Sequence, residues 1–128
     1  MREVVLYLGS SSSGKTYALR HEVAQCRGDV LVLGGKAVDE FADLMNDHRV
    51  TVVTRCVDFF RVLSEGHVAN VVIDDPQSIS DWQDYEGMFA SALEKFHGHL
   101  FVSSQMASLF GPLGVVVKGA IKVTVTQN

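Results

Sequence analysis

Short, continuous apolar runs recur along this sequence, and a stretch with helical periodicity follows each of the first four. Several runs do not alternate with polar residues, which is typical of strands covered on both faces. The short joints between strands and helices imply right-handed crossovers and parallel neighbours. The sequence therefore predicts a three-layer α/β fold with a mainly parallel sheet flanked by helices, from strands at 4–8, 30–33, 50–54, 70–73, 100–103 and 121–126 and helices near 15–27, 38–46, 57–65 and 81–96. A run at 115–118 is a weaker strand candidate.

The helix over 81–96 carries the clearest amphipathic pattern in the chain. Ser80, with Gln83 three residues later, has the form of a capping box at its start. Its large apolar side chains recur at spacings of three and four, so that they form one stripe: Trp82, Tyr85, Phe89, Leu93 and Phe96. We expect this stripe to face the sheet.

Composition places the chain among small globular proteins. Its 128 residues suit one domain over 1–128, and 47% hydrophobic residues exclude a disordered protein. No apolar run reaches the roughly 18 residues of a membrane span, and the first residues do not have a cationic-then-apolar pattern, so we expect neither a membrane span nor a leader. The net charge of −4 excludes nucleic-acid binding by bulk positive charge, although not by a local patch or a ring of subunits. Cys26 and Cys56 form no disulfide framework and have no zinc-ligand spacing, so we expect a cytoplasmic protein.

The segment between the first strand and the first helix fits the pattern G-x-x-x-x-G-K-[ST]: Gly9, Ser10, Ser11, Ser12, Ser13, Gly14, Lys15 and Thr16. The glycines let successive N–H groups curl around a phosphate, and the helix presents its positive N-terminal end. Lys15 would reach the β- and γ-phosphates, and the Thr16 hydroxyl would bind Mg²⁺. Tyr17 could stack on a nucleobase, with a place on the helix surface or in the core as the alternative. This context favours a nucleoside triphosphate site over a serine-rich surface turn.

Such a loop needs a carboxylate at the end of a neighbouring strand to hold Mg²⁺, directly or through water. The apolar strand at 70–73 ends in Asp74 and Asp75. We expect Asp74 to hold the metal and Asp75 to orient or deprotonate the attacking water. Because Asp before Pro76 is a common turn starter, a capping role for one of them is the alternative. Asp39 and Glu40 compete, but no strand leads directly into them and the residues around them have helical spacing.

Polar residues also end the strand at 100–103. Ser103, Ser104 and Gln105 occupy the carboxyl end of a buried-type strand, where open α/β sheets bind ligands. The Gln105 amide could contact the γ-phosphate or the attacking water and sense hydrolysis. The alternative is a strand-to-helix turn in which Ser104 or Gln105 caps the next segment.

The loop at 9–16, the acids Asp74 and Asp75 and the segment 103–105 occur in this order, and together they resemble the FtsK/HerA superfamily of P-loop ATPases. Within it, the chain is most similar to genome-packaging ATPases of membrane-containing phages and of large DNA viruses of the poxvirus type. The resemblance implies a RecA-like core, ATP and Mg²⁺ as ligands, and a homo-oligomeric ring, often of six subunits, around double-stranded DNA. It further implies a viral portal or capsid component as partner and a cytoplasmic or virion-associated location.

The sequence departs from that family in its arginines. Family members commonly carry an arginine–histidine pair before the sensor strand and an arginine after it, whereas no arginine follows Arg61 here. An arginine supplied in trans raises turnover by about three to five orders of magnitude. The substitutes in this chain are Arg49, Arg55 and Arg61 from another surface, or one of the lysines Lys95, Lys118 and Lys122.

Three functional hypotheses follow. The first is an Mg²⁺-dependent ATP hydrolase that translocates DNA and packages a viral genome. The second is a small kinase that phosphorylates a nucleoside-like acceptor, for which 128 residues leave little room for a lid. The third, which the missing arginines favour, is a weakly hydrolysing nucleotide switch or assembly factor.

Overall fold

A computed structural model describes residues 3–8, 14–104 and 122–127, including their side chains except those of Leu8, Lys15, Ala90 and 122–127. The strands are β1 (Glu3–Leu8), β2 (Asp29–Gly34), β3 (Val50–Val53), β4 (Val68–Asp74), β5 (His99–Ser104) and β6 (Lys122–Gln127). The helices are α1 (Lys15–Gln25), α2 (Ala37–Glu40), α3 (Cys56–Ser64) and α4 (Trp82–Glu94), and short 3₁₀ turns cover Ala42–Asn46 and Pro76–Ser78.

The six strands form one sheet in the order β3-β2-β4-β5-β1-β6, and each of its paired neighbours is parallel. This confirms the predicted three-layer α/β architecture, which is consistent with a RecA-like fold. Strand β5 lies between β1 and β4, since Val102 pairs in register with both Leu6 and Ile73. The carboxyl ends of β1, β4 and β5 therefore meet at one edge of the sheet.

Two apolar clusters fill the space on the two faces of the sheet. One packs α3 and α4 on the sheet, and aromatic rings meet at its centre, with Phe89 4.4 Å from Trp82 and 5.4 Å from Phe59 between ring centroids. The other packs α1 and α2 on the opposite face through Leu19, Val23 and Phe41. Burying one such side chain contributes about 1.5–3 kcal/mol, so both helical layers are anchored to the sheet.

The stripe of the long helix is confirmed. Trp82, Phe89 and Leu93 are buried, and Tyr85 and Phe96 are half-buried against the same cluster. The capping box is wrong, because the N-cap residue of α4 is Asp81 and no side chain makes a capping bond there. The Asp81 carboxylate is instead buried against the start of a different helix, α3, as described below.

The helix predicted over 38–46 is interrupted. It consists of α2 and the 3₁₀ turn Ala42–Asn46, with a break at Phe41. Ala37 and Phe41 point into the core, whereas Val38 and Met45 are 45% and 44% exposed. The apolar spacing therefore overstated the length of the helix. The weak strand candidate at 115–118 lies outside the described residues.

No helix within the described ranges combines the length and apolar character needed to cross a bilayer.

Candidate functional site

The candidate site lies at the carboxyl edge of the sheet, where β1 leads into α1 through the predicted phosphate loop. Gly14 is the last loop residue described, and its φ of 88° is a left-handed conformation that side chains disfavour. Its carbonyl accepts the first helical hydrogen bond from the Ala18 N–H at 3.0 Å. The requirement for glycine at this position therefore has a backbone cause. The rest of the predicted loop, Gly9 to Ser13, the Lys15 side chain and Gln105 lie outside the described part of the chain.

The two side chains predicted to hold Mg²⁺ are in contact. The Thr16 hydroxyl, in the first turn of α1, donates a hydrogen bond to Oδ2 of Asp74 at 3.1 Å. These residues are 58 positions apart and come from elements on either side of the β5 terminus. The fold thus brings a neutral hydroxyl and a carboxylate together beside the end of the predicted phosphate loop. Their role in metal binding stays a prediction.

Asp74 is almost fully buried, at 6% exposure, and both of its carboxylate oxygens accept hydrogen bonds. The buried hydroxyl of Ser103 donates to Oδ1 at 2.5 Å. Burial raises the pKa of Asp74 above its usual value, and the neighbouring carboxylates of Glu40 and Asp75 add to this, while the bonds from Ser103 and Thr16 oppose it. A cation at this position would favour the ionised carboxylate.

Asp75 adopts a backbone conformation that is unusual for its residue type. Its φ of 52° and ψ of 74° are left-handed, and among the described residues no other non-glycine residue has a positive φ. Its N–H bonds to the carbonyl and hydroxyl of Ser103 at 3.2 and 2.9 Å, and its carbonyl accepts from Ser78. A left-handed non-glycine residue costs about 1–3 kcal/mol, although aspartate tolerates it better than most, and it persists because the surroundings fix it.

The backbone of Asp75 starts the turn that follows it, which is part of the alternative role predicted for this residue. It precedes the 3₁₀ turn Pro76–Ser78, but its side chain makes no capping bond to that turn. The Asp75 carboxyl group is half-buried at the edge of the sheet, next to Asp74 in sequence. This position is compatible with a water-orienting role, which stays a prediction.

The turn after β2 also contributes to the site, and sequence reasoning missed it. Gly34 pairs with Asp74 in register, and a Cβ added to Gly34 would lie 3.2 Å from the Asp74 Cβ. A Cβ on Gly35 would lie only 2.0 Å from the Ser78 carbonyl oxygen, and the Gly35 N–H donates to the Ser78 hydroxyl at 3.2 Å. The paired glycines were the available signal, because they permit close backbone approach.

The competing acids, Asp39 and Glu40, lie on α2 instead of at a strand end. The Glu40 carbonyl accepts a hydrogen bond from the Arg20 guanidinium at 2.5 Å. The same guanidinium donates two hydrogen bonds to the Asp43 carboxylate, at 2.6 and 2.7 Å. Glu40 is near enough to raise the pKa of Asp74, so it contributes to the negative field of the site. Arg20 ties α1 to the segment that follows α2.

The arginines named as substitutes differ in their placement. Arg49 lies at the amino end of β3, where it is bound to Asp47 at 2.7 Å and to the Cys26 carbonyl at 2.8 Å. Arg61 is one turn from Asp58 on α3, with a contact of 3.3 Å. Arg55 lies at the carboxyl edge of the sheet, where its Nε is 3.8 Å from Oδ2 of Asp81, and its side chain is 60% exposed. Of these three, Arg55 is the one on the same edge as Asp74.

Neither of the two substitute lysines that the structure describes lies at the edge of the sheet that holds Asp74. Lys95 follows α4 and Lys122 begins β6, so both lie at the amino edge, opposite the site. Lys118 is outside the described residues. Tyr17 is 76% exposed, which excludes the core position and leaves its ring accessible beside the loop.

Asp81 has a structural role that the sequence did not reveal. Its buried carboxylate accepts the N–H groups of Cys56 and Val57, at 2.7 and 3.2 Å, and so caps the start of α3. Burial opposes its ionisation, but these hydrogen bonds outweigh burial and hold the pKa of Asp81 below its usual value. Burial of the Cys56 thiol, together with the nearby charge of Asp81, raises the pKa of this thiol to about 12. Cys56 is therefore a core residue and not a nucleophile.

No protein-family model matches this chain, and no curated protein matches it significantly. Within the described residues, no group of three or more His, Cys, Asp or Glu side chains is arranged to hold a metal ion. The features that point to a function are therefore the sequence motif and the contacts of Thr16, Asp74 and Ser103.

Proposed function

We propose that this chain is an Mg²⁺-dependent ATP hydrolase whose turnover drives DNA translocation, in the packaging of a viral genome. The observation that carries the proposal is the contact of Thr16, the last residue of the predicted phosphate loop, with Asp74. A lysine-containing glycine loop, a helix N-terminus, a hydroxyl and a buried carboxylate are the groups that bind a metal–nucleotide complex.

The residues at this edge fit Mg²⁺ by their donor chemistry. Mg²⁺ prefers oxygen ligands and is usually held by one or two carboxylates together with substrate phosphates and water. Thr16 and Asp74 offer a hydroxyl and a carboxylate, and the Asp74 carboxylate is already oriented by two hydrogen bonds. When bound, the ion would neutralise charge on the phosphates.

The remaining roles are assigned by position. Lys15 and the N–H groups of the loop would bind the phosphates, and Tyr17 is exposed where a nucleobase could stack on it. Asp75 would orient the attacking water and accept its proton. Gln105, which follows β5, would contact the γ-phosphate and report hydrolysis.

We infer DNA and a homo-oligomeric ring from the resemblance of the sequence motifs to FtsK/HerA ATPases. Within such a ring, Arg55 would act between copies, because it lies at the carboxyl edge but on the far side of β2, β4 and β5 from β1. With strands about 4.8 Å apart, four strand spacings separate β3 from β1, or roughly 19 Å. Arg55 therefore suits the nucleotide of a second copy better than its own.

A weakly hydrolysing nucleotide switch is the second candidate. The observation in its favour is that Arg20, the described arginine on α1, is held by Asp43 and the Glu40 carbonyl. Without an arginine from a second copy, such a site would bind nucleotide and turn it over slowly.

The test is ATP hydrolysis by purified protein with Mg²⁺, with and without double-stranded DNA, for wild type, Asp75→Asn and the exposed-residue control Asp84→Asn. The proposal predicts turnover that DNA stimulates, that Asp75→Asn removes and that Asp84→Asn leaves intact. Nucleotide binding with background turnover, unchanged by DNA, would favour the switch. A phosphorylated acceptor without DNA-stimulated ATP loss would favour the kinase.

A further inference from the structure

Ser103 occupies the central position of the candidate site. It lies near the end of β5, in register with Tyr7 of β1 and Asp74 of β4. Its side chain is fully buried, at 0% exposure. A buried hydroxyl is stable only when it is hydrogen-bonded, so a serine at this place must have partners.

The Ser103 hydroxyl contacts both predicted acidic residues at once. It donates its proton to Oδ1 of Asp74 at 2.5 Å and accepts the Asp75 N–H at 2.9 Å. A serine hydroxyl has one proton, so it can donate only one hydrogen bond, and here that bond goes to Asp74. One of its oxygen lone pairs accepts the bond from the Asp75 N–H. With Thr16 on the other oxygen of Asp74, a continuous chain of hydrogen bonds runs from α1 to Asp75.

We propose that Ser103 is the positioning residue of this site, which orients the Asp74 carboxylate towards Thr16 and holds Asp75 in its left-handed turn. This inference rests on the proposed function, since it names the residue on which the two acids depend. Ser103 acts through Asp74 and Asp75 and need not touch the nucleotide. Its role is distinct from that of Gln105, which would sense the phosphate directly.

A positioning role has a specific kinetic signature. Removing the hydroxyl disturbs the metal ligand and the water-orienting residue, so it should change the Mg²⁺ requirement and the turnover rate. It should leave the affinity for ATP in the absence of metal unchanged, since the phosphate loop is intact. Residues that support a metal ligand typically change metal affinity or activity by roughly 10–100-fold when removed.

The test compares Ser103→Ala and Ser103→Cys, which lose the strong hydrogen bonds, with Ser103→Thr, which keeps the hydroxyl. Val30→Ala, a buried change at the amino end of β2, controls for loss of stability alone. Three quantities are measured: the Mg²⁺ concentration for half-maximal hydrolysis, ATP affinity in EDTA, and hydrogen exchange at the Asp75 amide by NMR. The amide exchange is read without nucleotide or metal.

We expect Ser103→Ala and Ser103→Cys to raise the Mg²⁺ requirement by roughly tenfold. They should also speed hydrogen exchange at the Asp75 amide, but by a smaller factor, because the amide keeps its bond to the Ser103 carbonyl. Ser103→Thr should restore both values towards wild type, and Val30→Ala should change neither. An active wild type whose Ser103→Ala and Ser103→Cys variants keep the wild-type metal requirement would overturn this inference alone. A wild type that neither binds nor hydrolyses ATP with Mg²⁺ would overturn the proposed function and this inference with it.

Discussion

The hydroxyl of Thr16, in the first turn of α1, donates a hydrogen bond of 3.1 Å to Oδ2 of Asp74, the last residue of β4. The contact exists because β5 is inserted between β1 and β4, which places the ends of all three strands around one point. Ser103, at the end of β5, occupies that point and donates to the other oxygen of Asp74. The order of strands in the sheet therefore creates the candidate site.

Asp74→Asn should not lower the stability of the metal-free protein at neutral pH. Burial raises the pKa of Asp74, so the folded state binds its proton more tightly than the unfolded state. The group's contribution to stability is then complete below its usual pKa of about 3.9 and is lost as pH rises through the raised value. Without metal, Asp74→Asn should be at least as stable as wild type at pH 7, by urea unfolding. A clear loss of stability at pH 7, with none for Asp84→Asn, would contradict this.

Asp81→Ala should destabilise the fold through α3, since it leaves the N–H groups of Cys56 and Val57 without their acceptor. The expected loss is about 1–3 kcal/mol in urea unfolding, with Asp84→Ala as the exposed control. The pKa of Asp81 is lowered, so its contribution is present above its usual pKa and is lost as pH falls through the lowered value. The gap between wild type and Asp81→Ala should therefore narrow in acid. A gap that stays constant from pH 7 to pH 3 would contradict the capping role.

Two glycine substitutions should have opposite effects. An added Cβ at Gly35 would lie 2.0 Å from the Ser78 carbonyl, so Gly35→Ala must displace the turn that follows Asp75. At Gly87, on the exposed face of α4, nothing lies within 4 Å of an added Cβ. Thermal unfolding should show Gly87→Ala stabilised by about 0.5–1 kcal/mol and Gly35→Ala destabilised. Equal effects of the two variants would show that the contact of Gly35 with Ser78 is not tight.

Much of this architecture follows from local sequence, and the rest depends on the order of the strands. The runs that form β1, β2, β4 and β5 were predictable because their valine and leucine residues are buried on both faces. The contact of Ser103 with Asp74 was not, because it depends on which strands are neighbours. Asp81 likewise was assigned to its own helix, whereas its carboxylate caps α3, which lies earlier in the chain. The left-handed backbone of Gly14 agrees with the expected need for glycine in the loop, because that constraint is local.

Arg55 gives a test of action between subunits. If Arg55 serves the nucleotide of a second copy, Arg55→Ala should reduce hydrolysis by roughly 10³-fold or more, the usual contribution of such an arginine. Arg61→Ala, which changes an arginine on α3 whose side chain is 71% exposed, should not. Mixing Arg55→Ala with Asp75→Asn should restore activity, because one interface then carries both intact residues. Two inactive variants that stay inactive when mixed would exclude Arg55 from this role.

The measurement that tests the central claim most directly is calorimetric titration of the protein with ATP, with Mg²⁺ and in EDTA, for wild type, Lys15→Ala and the exposed-residue control Arg27→Ala. We predict tight binding by wild type and Arg27→Ala that weakens without Mg²⁺, and no detectable binding by Lys15→Ala. Wild-type protein that binds no ATP with Mg²⁺, or Lys15→Ala that binds as wild type does, would contradict the assignment of a nucleotide site beside Thr16 and Asp74.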